Sequence, residues 1–452
     1  MPYSPTSSST FVESLAERRR FGMKPGLETI RALCAVLGDP QKKFRAIHVA
    51  GTNGKGAVCA MLSAVLGCGR YTSPHLMKIN ERFVIDGKPI SSEKLEYFSE
   101  IVANAISRRG LSPKPEGLSP SKPGGLSPKS GGLSPSESGG LSSGDVTFFE
   151  ALTAVAFLAF ADAKVGRAVL ECGLGGRLDA TNVCEPELCI ITRIGLDHCD
   201  WLGDTVEKIA AEKAGIIKPG VPVVLGANDE IVRNVISSRA KEVGAPFFYA
   251  PELATEAEVP EGFPLAGAFN RENAVTAIAA LKALLAKPLP PEVLEGLKKT
   301  VWPGRFQRVG NYIVDGAHNP PAAAALAKTL DEEFPGRRLP LVAGFCGDKD
   351  VAQVLQTLAP HISRGFAVRT NSPRSLSAED TAAKMRDAGI PAEPCGSLEE
   401  ALSKSGKGTD PSAPALVCGS LFLAGEALAA LGAYPWGNVS RADPSECLRL
   451  SI

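Results

Sequence analysis

Short apolar runs alternate with longer segments of helical spacing over most of this 452-residue chain. Residues 46–50, 168–171, 188–192 and 221–225 are apolar runs bounded by turn residues, the pattern of strands buried on both faces. Between and after them, residues 57–66, 148–163, 205–214, 230–243 and 273–285 read as helices. Residues 11–37 read as helical segments broken at Gly22 and Pro25, and 92–107 has helical spacing. Arg70-Tyr71 opens a short strand running into a loop, and Asp86-Gly87-Lys88-Pro89 is a turn signal. Trp302-Pro303-Gly304-Arg305 looks like a boundary. Beyond it come strands at 312–314, 340–343, 365–368 and 415–418, each followed by a helix-like segment. This alternation predicts α/β architecture, a mostly parallel sheet covered on both faces, in two domains of residues 1–300 and 301–452. The cleft between two such domains is a natural place for two substrates.

Residues 110–144 break the pattern. Leu-Ser-Pro recurs at Leu111, Leu118, Leu126 and Leu133 without aromatics or an apolar face. Such a tract cannot offset its ordering entropy, so it reads as a flexible surface insertion. Lys+Arg and Asp+Glu are both 49, which leaves no bulk field to attract nucleic acid or an anionic membrane. The most apolar stretch, 148–163, contains Glu150 and Asp162 and is too short to span a bilayer. Eleven cysteines without a C-x-x-C pair favour reduced thiols in a cytoplasmic compartment over a disulfide framework. Residues 1–10 lack the apolar core of a secretory signal; Ser7 to Thr10 and Arg18 to Arg20 leave an organellar address open.

The chemistry starts at His48-Val49-Ala50-Gly51-Thr52-Asn53-Gly54-Lys55-Gly56. A strand, a glycine-rich turn and a helix N-terminus make a phosphate cradle, with backbone N–H groups and the helix dipole aimed at the anion and a lysine adding charge. The fit to the common P-loop is partial. Val49 stands at the first glycine position, and Gly56 stands where the metal-binding hydroxyl belongs. A bound nucleotide's cation must therefore find its hydroxyl elsewhere.

Other chemistry-bearing residues fall where strands end. Four of five histidines, His48, His75, His198 and His318, lie at or beside strand ends; His361 is the fifth. Ser73 precedes Pro74, which stiffens its turn. Glu171 closes an apolar strand, where an unpaired carboxylate is costly and calls for a cation. Hydroxyl, carboxylate and imidazole with open positions suit a magnesium shell. Lys213 ends a helix, where a plain dipole-compensating lysine is also expected. Asp315 to Pro320 follows a strand and opens a helix with Asn319 as its cap, so that Asp315 and His318 would face the cleft.

Taken in order, H-V-A-G-T-N-G-K-G, Y-T-S-P-H-L, N-E-R, L-E-C-G-L-G-G-R-L-D-A-T-N, I-G-L-D-H, I-A-A-E-K-A-G-I-I-K-P-G, W-P-G-R-F, D-G-A-H-N-P and G-D-K-D resemble the folylpolyglutamate synthase and dihydrofolate synthase family of the Mur ligase superfamily, from about residue 11 to 425. The resemblance implies a P-loop-type, mostly parallel ATPase domain followed by a smaller Rossmann-like α/β domain. It implies an ATP-dependent amide ligase that adds L-glutamate to dihydropteroate or tetrahydrofolate through an acyl phosphate, releasing ADP and phosphate. By motif, Gly51, Thr52, Asn53, Gly54, Lys55 and Gly56 cradle the phosphates, with Asn273, Arg305, Asp315 and His318 completing the ATP site. Ser73, Glu171 and His198 match the magnesium ligands, and Lys213 matches a lysine carbamylated to serve a second ion. The catalytic set is then Lys55, Lys213, Asp315 and His318. His75, Asn80, Phe148, Phe149 and Asp179 match segments around the pterin pocket. The partners implied are these small molecules, with no nucleic acid or membrane, acting on a monomer. Two departures stand out: Ala57 replaces a Ser/Thr, removing a phosphate hydrogen bond worth ~1–3 kcal/mol, and Phe269-Asn270 replaces His-Gln on the adenine side. The rival readings are a Mur-type ligase for a different carboxylate, a non-catalytic nucleotide-binding module, and a scaffold recruiting partners through residues 110–144.

Overall fold

The computed structural model describes residues 26–108, 146–285, 289–406 and 414–436. The Leu-Ser-Pro tract and the helical reading before residue 26 lie outside them. The first sheet has eight strands: β1 Arg45–Ala50, β2 Gly69–Tyr71, β3 Phe83–Ile85, β4 Lys88–Pro89, β5 Arg167–Glu171, β6 Pro186–Ile191, β7 Val223–Leu225 and β8 Phe247–Tyr249. Their order is β4-β3-β2-β5-β1-β6-β7-β8. The six strands from β2 to β8 in that order are parallel, and the hairpin β3–β4 adds an antiparallel edge.

Helices cover both faces because successive side chains on each strand point opposite ways. Ala46, Ala168, Leu170 and Tyr71 pack under α1 Glu28–Val36, α3 Ser92–Arg108 and α4 Phe148–Asp162. Ile47, Val49 and Val169 pack under α2 Lys55–Leu66 and α7 Ala268–Leu285. Strands β6 and β7 meet α5 Val206–Ala214 and α6 Glu230–Glu242 in a third cluster. The alternation has a direct consequence. Glu171 follows Val169 onto the α2 face, and Arg70 lies opposite Tyr71 on that same face.

The second sheet comprises β9 Gln307–Val309, β10 Tyr312–Val314, β11 Leu339–Ala343, β12 Ile362–Ala367, β13 Ala392–Pro394 and β14 Ala415–Cys418, in the order β13-β12-β11-β14-β10-β9. Only β9 is antiparallel. Helices α8 Pro320–Glu333, α9 Val351–Leu358, α10 Ala378–Asp387, α11 Leu398–Gly406 and α12 Leu421–Ala430 flank it. Asn319 caps α8 as expected, accepting from the Ala322 N–H at 3.0 Å. Five strands escaped the sequence reading: β3, β4, β8, β9 and β13. Helix α7 begins at Ala268 rather than Asn273, which puts Asn273 in its second turn.

The two sheets are stitched together. Tyr434 Oη donates to Glu81 Oε1 at 2.6 Å, Gly425 packs on Leu76 and Met77, and the Ala268 N–H donates to Glu332. No helix among the described residues is long and apolar enough to cross a membrane.

The first core depends on Phe157, fully buried with its ring 6.1 Å from Phe44. Replacing it with alanine leaves a cavity, so Phe157→Ala is expected to destabilise the first domain by about 3–5 kcal/mol. Chemical denaturation followed by far-ultraviolet dichroism checks this; an unchanged midpoint contradicts the packing described.

Candidate active site

The glycine turn forms as the sequence requires. Strand β1 ends at Ala50, α2 begins at Lys55, and Gly54 caps it in a left-handed conformation with φ 88°. A side chain at position 54 would be strained and would also collide with the Asn273 amide. Asn273, one of the expected nucleotide contacts, thus packs directly on the turn. The turn is braced from the next strand: the Thr52 and Asn53 N–H groups donate to Arg193 O, and Thr192 Oγ1 donates to Asn53 O. Thr52 Oγ1 and the backbone of Gly195 are 3.1 Å apart on both their donor and acceptor contacts.

Two lysines converge on this turn. Lys55 Nζ donates to Gly51 O at 3.0 Å and Thr52 O at 3.1 Å. Lys213, at the end of α5, donates to the same Gly51 O at 2.8 Å. Lys213 is only 4% exposed. Burial, with the Lys55 ammonium beside it, pulls its pKa down to about 7. A small cavity opens here, walled by Gly51, Lys55, Gly173, Asp197, His198 and Lys213. His198 holds a left-handed backbone at φ 53°, and its ring is about half exposed at the cavity rim.

Glu171 ends β5 on the other side of the turn. One carboxylate oxygen accepts the Ser73 N–H at 3.0 Å, and no ion pair completes it among the described residues. Burial raises its pKa, opposed first by Lys55 and then by the Ser73 N–H, Arg305 and Arg70. The Ser73 backbone N–H thus holds Glu171, which puts two of the residues matched to magnesium side by side. His198 and Lys213 sit together in the cavity across Lys55. Among the described residues no three His, Cys, Asp or Glu side chains form a metal cage, so any cation here relies on a mixed donor set.

The second domain brings three more expected residues. Asp315 is buried and accepts from the Phe306 N–H at 2.8 Å and the Ala317 N–H at 2.7 Å; burial raises its pKa while Arg305 opposes the rise. His318 Nδ1 lies 2.8 Å from Gly316 O, so this nitrogen carries the hydrogen and Nε2 is left free as an acceptor. Burial lowers the His318 pKa, and among the charges acting on it are Arg305 and, across the cleft, Asp197. Arg305 donates to Gly304 O and lies 6.0 Å from the Trp302 ring centre.

The expected pterin residues divide. His75 Nδ1 accepts from Arg82 Nε at 2.9 Å, and the Arg82 guanidinium lies over the Phe148 ring. Phe149 packs on Tyr71 and blocks any side chain at Gly173. Asn80 uses its amide to hold Ile90 O. Asp179 is a different matter. Its carboxylate is filled by the N–H groups of Gly173, Leu174 and Thr181 and by the Thr181 hydroxyl. It shapes the 173–181 loop rather than offering a free oxygen to a ligand. His48 is also corrected: it lies within β1, fully buried, with Nε2 2.7 Å from Thr181 Oγ1, and burial drops its pKa to about 3.

Sequence reasoning gave no role to Glu81, Arg70 or Trp302. Glu81 accepts the N–H groups of Leu76, Met77 and Lys78 and the Tyr434 hydroxyl, fixing the loop after Ser73. Trp302 packs edge-on over Gly56, so a side chain at 56 would run into the indole. That explains the missing hydroxyl of the turn. The signal available for Arg70 was a charge inside an otherwise buried strand.

Residues 304–421 match the Mur ligase, glutamate ligase domain family. Over 395 residues the chain is 34% identical to the dihydrofolate synthase/folylpolyglutamate synthase of Bacillus subtilis (strain 168), covering 80% of this chain and 85% of that one. It is similar in structure to the Mycobacterium tuberculosis folylpolyglutamate synthase complexed with ADP, with a TM-score of 0.79, 31% identity, and coverage of 95% of this chain and 99% of the other. A bifunctional folylpolyglutamate synthase/dihydrofolate synthase from Yersinia pestis complexed with AMPPNP and a Mn ion aligns with a TM-score of 0.75 and 29% identity, over 95% of this chain and 100% of its own.

The Gly54 geometry generates a prediction. Gly54→Ala is expected to weaken ADP binding at least about tenfold, since the strained turn and displaced Asn273 cost on the order of 1–3 kcal/mol. Isothermal titration calorimetry checks it, and wild-type affinity would contradict the cradle.

Proposed function

We propose a reaction for this chain on one premise: it belongs to the folylpolyglutamate synthase and dihydrofolate synthase family and is an ATP-dependent ligase. The reaction is addition of L-glutamate to dihydropteroate, to reduced folates, or to both, by a monomer. The reading is carried by Lys55 and Lys213 meeting at one carbonyl, Gly51 O, while Asp197, in the wall of the same cavity, is close enough to act electrostatically on His318 of the second domain.

The backbone from Gly51 to Gly56 receives the triphosphate, and Lys55 turns from its two carbonyls to the β- and γ-oxygens. Asn273 supports the turn from below. Arg305, Asp315 and His318 hold the nucleotide from the second domain. The acceptor's carboxylate attacks the γ-phosphorus and ADP leaves, giving an acyl phosphate. The glutamate amine then attacks the acyl carbon and phosphate leaves through a tetrahedral intermediate. This chemistry asks the protein for positioning and charge neutralisation more than for covalent participation.

Ser73, Glu171 and His198 are the residues that would hold magnesium, and a buried carboxylate with one hydrogen bond and no ion pair suits that task. The ion supplies charge neutralisation on the phosphates. A second ion would use Lys213 as a carbamate. With its pKa near 7, a large share of Lys213 is the neutral amine at neutral pH. That amine adds to carbon dioxide and loses a proton, which turns a buried cation into a buried carboxylate-like donor.

Purified protein with ATP, magnesium and labelled glutamate, offered dihydropteroate or tetrahydrofolate in parallel, is expected to incorporate label with matching ADP release. ATP hydrolysis without incorporation overturns the acceptor reading in favour of another carboxylate, and absence of turnover leaves a nucleotide-binding module. Glu171→Ala is expected to drop ligation below detection with dichroism unchanged; wild-type turnover rejects the assignment. Lys213→Ala is expected to lose activity and regain part of it with added acetate, and failure to recover leaves Lys213 as a simple cation. Because the amine must be neutral to take carbon dioxide, wild-type activity at limiting carbon dioxide should rise with pH through about 7, and in Lys213→Ala that step should vanish.

A further inference from the structure

Arg70 is a buried cation that the ligase reading leaves unused. It is 4% exposed, in the middle of β2, and its neighbours in the sheet are Val84 and Val169. Its guanidinium makes no hydrogen bond and no ion pair among the described residues, and its Nε is fully occluded without a partner. The contact that it does make is with Trp302, 5.5 Å from the ring centre. An occluded N–H without an acceptor on a charged guanidinium is costly.

The two carboxylates within electrostatic reach do not serve it. Glu81 is filled by three backbone N–H groups and Tyr434, and Glu171 turns one oxygen to the Ser73 N–H. Burial lowers the Arg70 pKa to about 10, which still leaves it charged at neutral pH. The residue is therefore a charged fork beside Trp302 and within electrostatic reach of Glu171 at the end of β5, with no acceptor of its own among the described residues. Arg305 approaches the same indole, 6.0 Å from its centre, and is in reach of Glu171 as well.

The direction of approach selects the ligand. Phosphates belong to the glycine turn, where Lys55 already supplies the charge. Strand β2 instead leads into Thr72 and on to His75, which line a pocket with Trp302, the ring that Arg70 touches; His75 is one of the residues that the resemblance places at the pterin. We propose that Arg70 binds the acceptor substrate, its guanidinium receiving the oxyanion of the carboxylate that is to be activated, with Trp302 stacked on the fork to hold its plane. This rests on the ligase reading above, and it adds a residue that fixes the charged end of the acceptor.

The test uses the full-length enzyme and the carboxylate acceptor dihydropteroate, with its carboxamide as a competitive probe. Wild-type protein is expected to bind the carboxylate more tightly than the carboxamide by about tenfold to a hundredfold, the range for a charge-assisted pair. Arg70→Met should abolish that preference and raise the acceptor KM by a similar factor, leaving the KM values for ATP and glutamate within about twofold. It should also raise the melting temperature of the ligand-free protein, because it removes a buried charge that has no partner. A residue that merely braced Trp302 would do the reverse, lowering the melting temperature with the preference intact, and that result overturns the proposal. A rise confined to the ATP or glutamate KM also overturns it. Should Arg70→Met fail to fold, Arg70→Lys decides: it keeps the charge but loses the fork, so an acceptor KM equal to wild type sinks the assignment. If wild type ligates and the variants match it, Arg70 alone falls; if wild type does not ligate, the ligase reading falls with it.

Discussion

Charge held in a closed site with too few partners is the constraint that organises this protein. Glu171 at the end of β5 has one hydrogen bond, and Lys213 at the end of α5 gives its ammonium to one backbone carbonyl. Burial shifts both away from their charged forms. Neutral, well-packed residues would be cheaper at such positions. Glu81 and Asp179 make the contrast plain, because each is buried with four donors and holds a loop in shape. Filled carboxylates build the walls, and unfilled ones wait for ligands.

The parallel sheet explains why those charges gather where they do. Strand β1 lies between β5 and β6, so the turn after β1 opens beside the ends of both. Glu171 arrives from one side, Thr192 and the His198 loop from the other. Trp302 then links the domains at the same spot. Its indole packs on Gly56, faces Arg70 from the first domain and lies near Arg305 from the second. One aromatic ring thus accounts for the unusual residue in the glycine turn and ties the cleft together.

Much of this was legible in the residues. Mostly apolar runs such as 46–50 and 188–192 mark strands buried on both faces, so the parallel core and the second α/β set could be read directly. Edge strands could not: β8 is half-buried and β13 reads Ala-Glu-Pro, which carries no strand signal. Within the site, glycine spacing exposed the turn because only a few backbones fit it. Asp179 misled because a residue type does not say where its carboxylate points, and His48 because strand ends are uncertain by a residue or two. Arg70 and Trp302 went unread since their meaning lies in a contact across 232 positions of chain, which no local pattern carries.

The claim beneath the whole account is that the cavity beside Gly51 forces its lysine toward neutrality. Nuclear magnetic resonance titration of side-chain-labelled lysine in the ligand-free protein, with Lys213 assigned by its absence from Lys213→Ala, measures that directly. The account predicts a titration midpoint for Lys213 near 7. A midpoint at the ordinary lysine value of about 10.4 would mean that the ammonium is well solvated, and the charge-starved site described here would not exist.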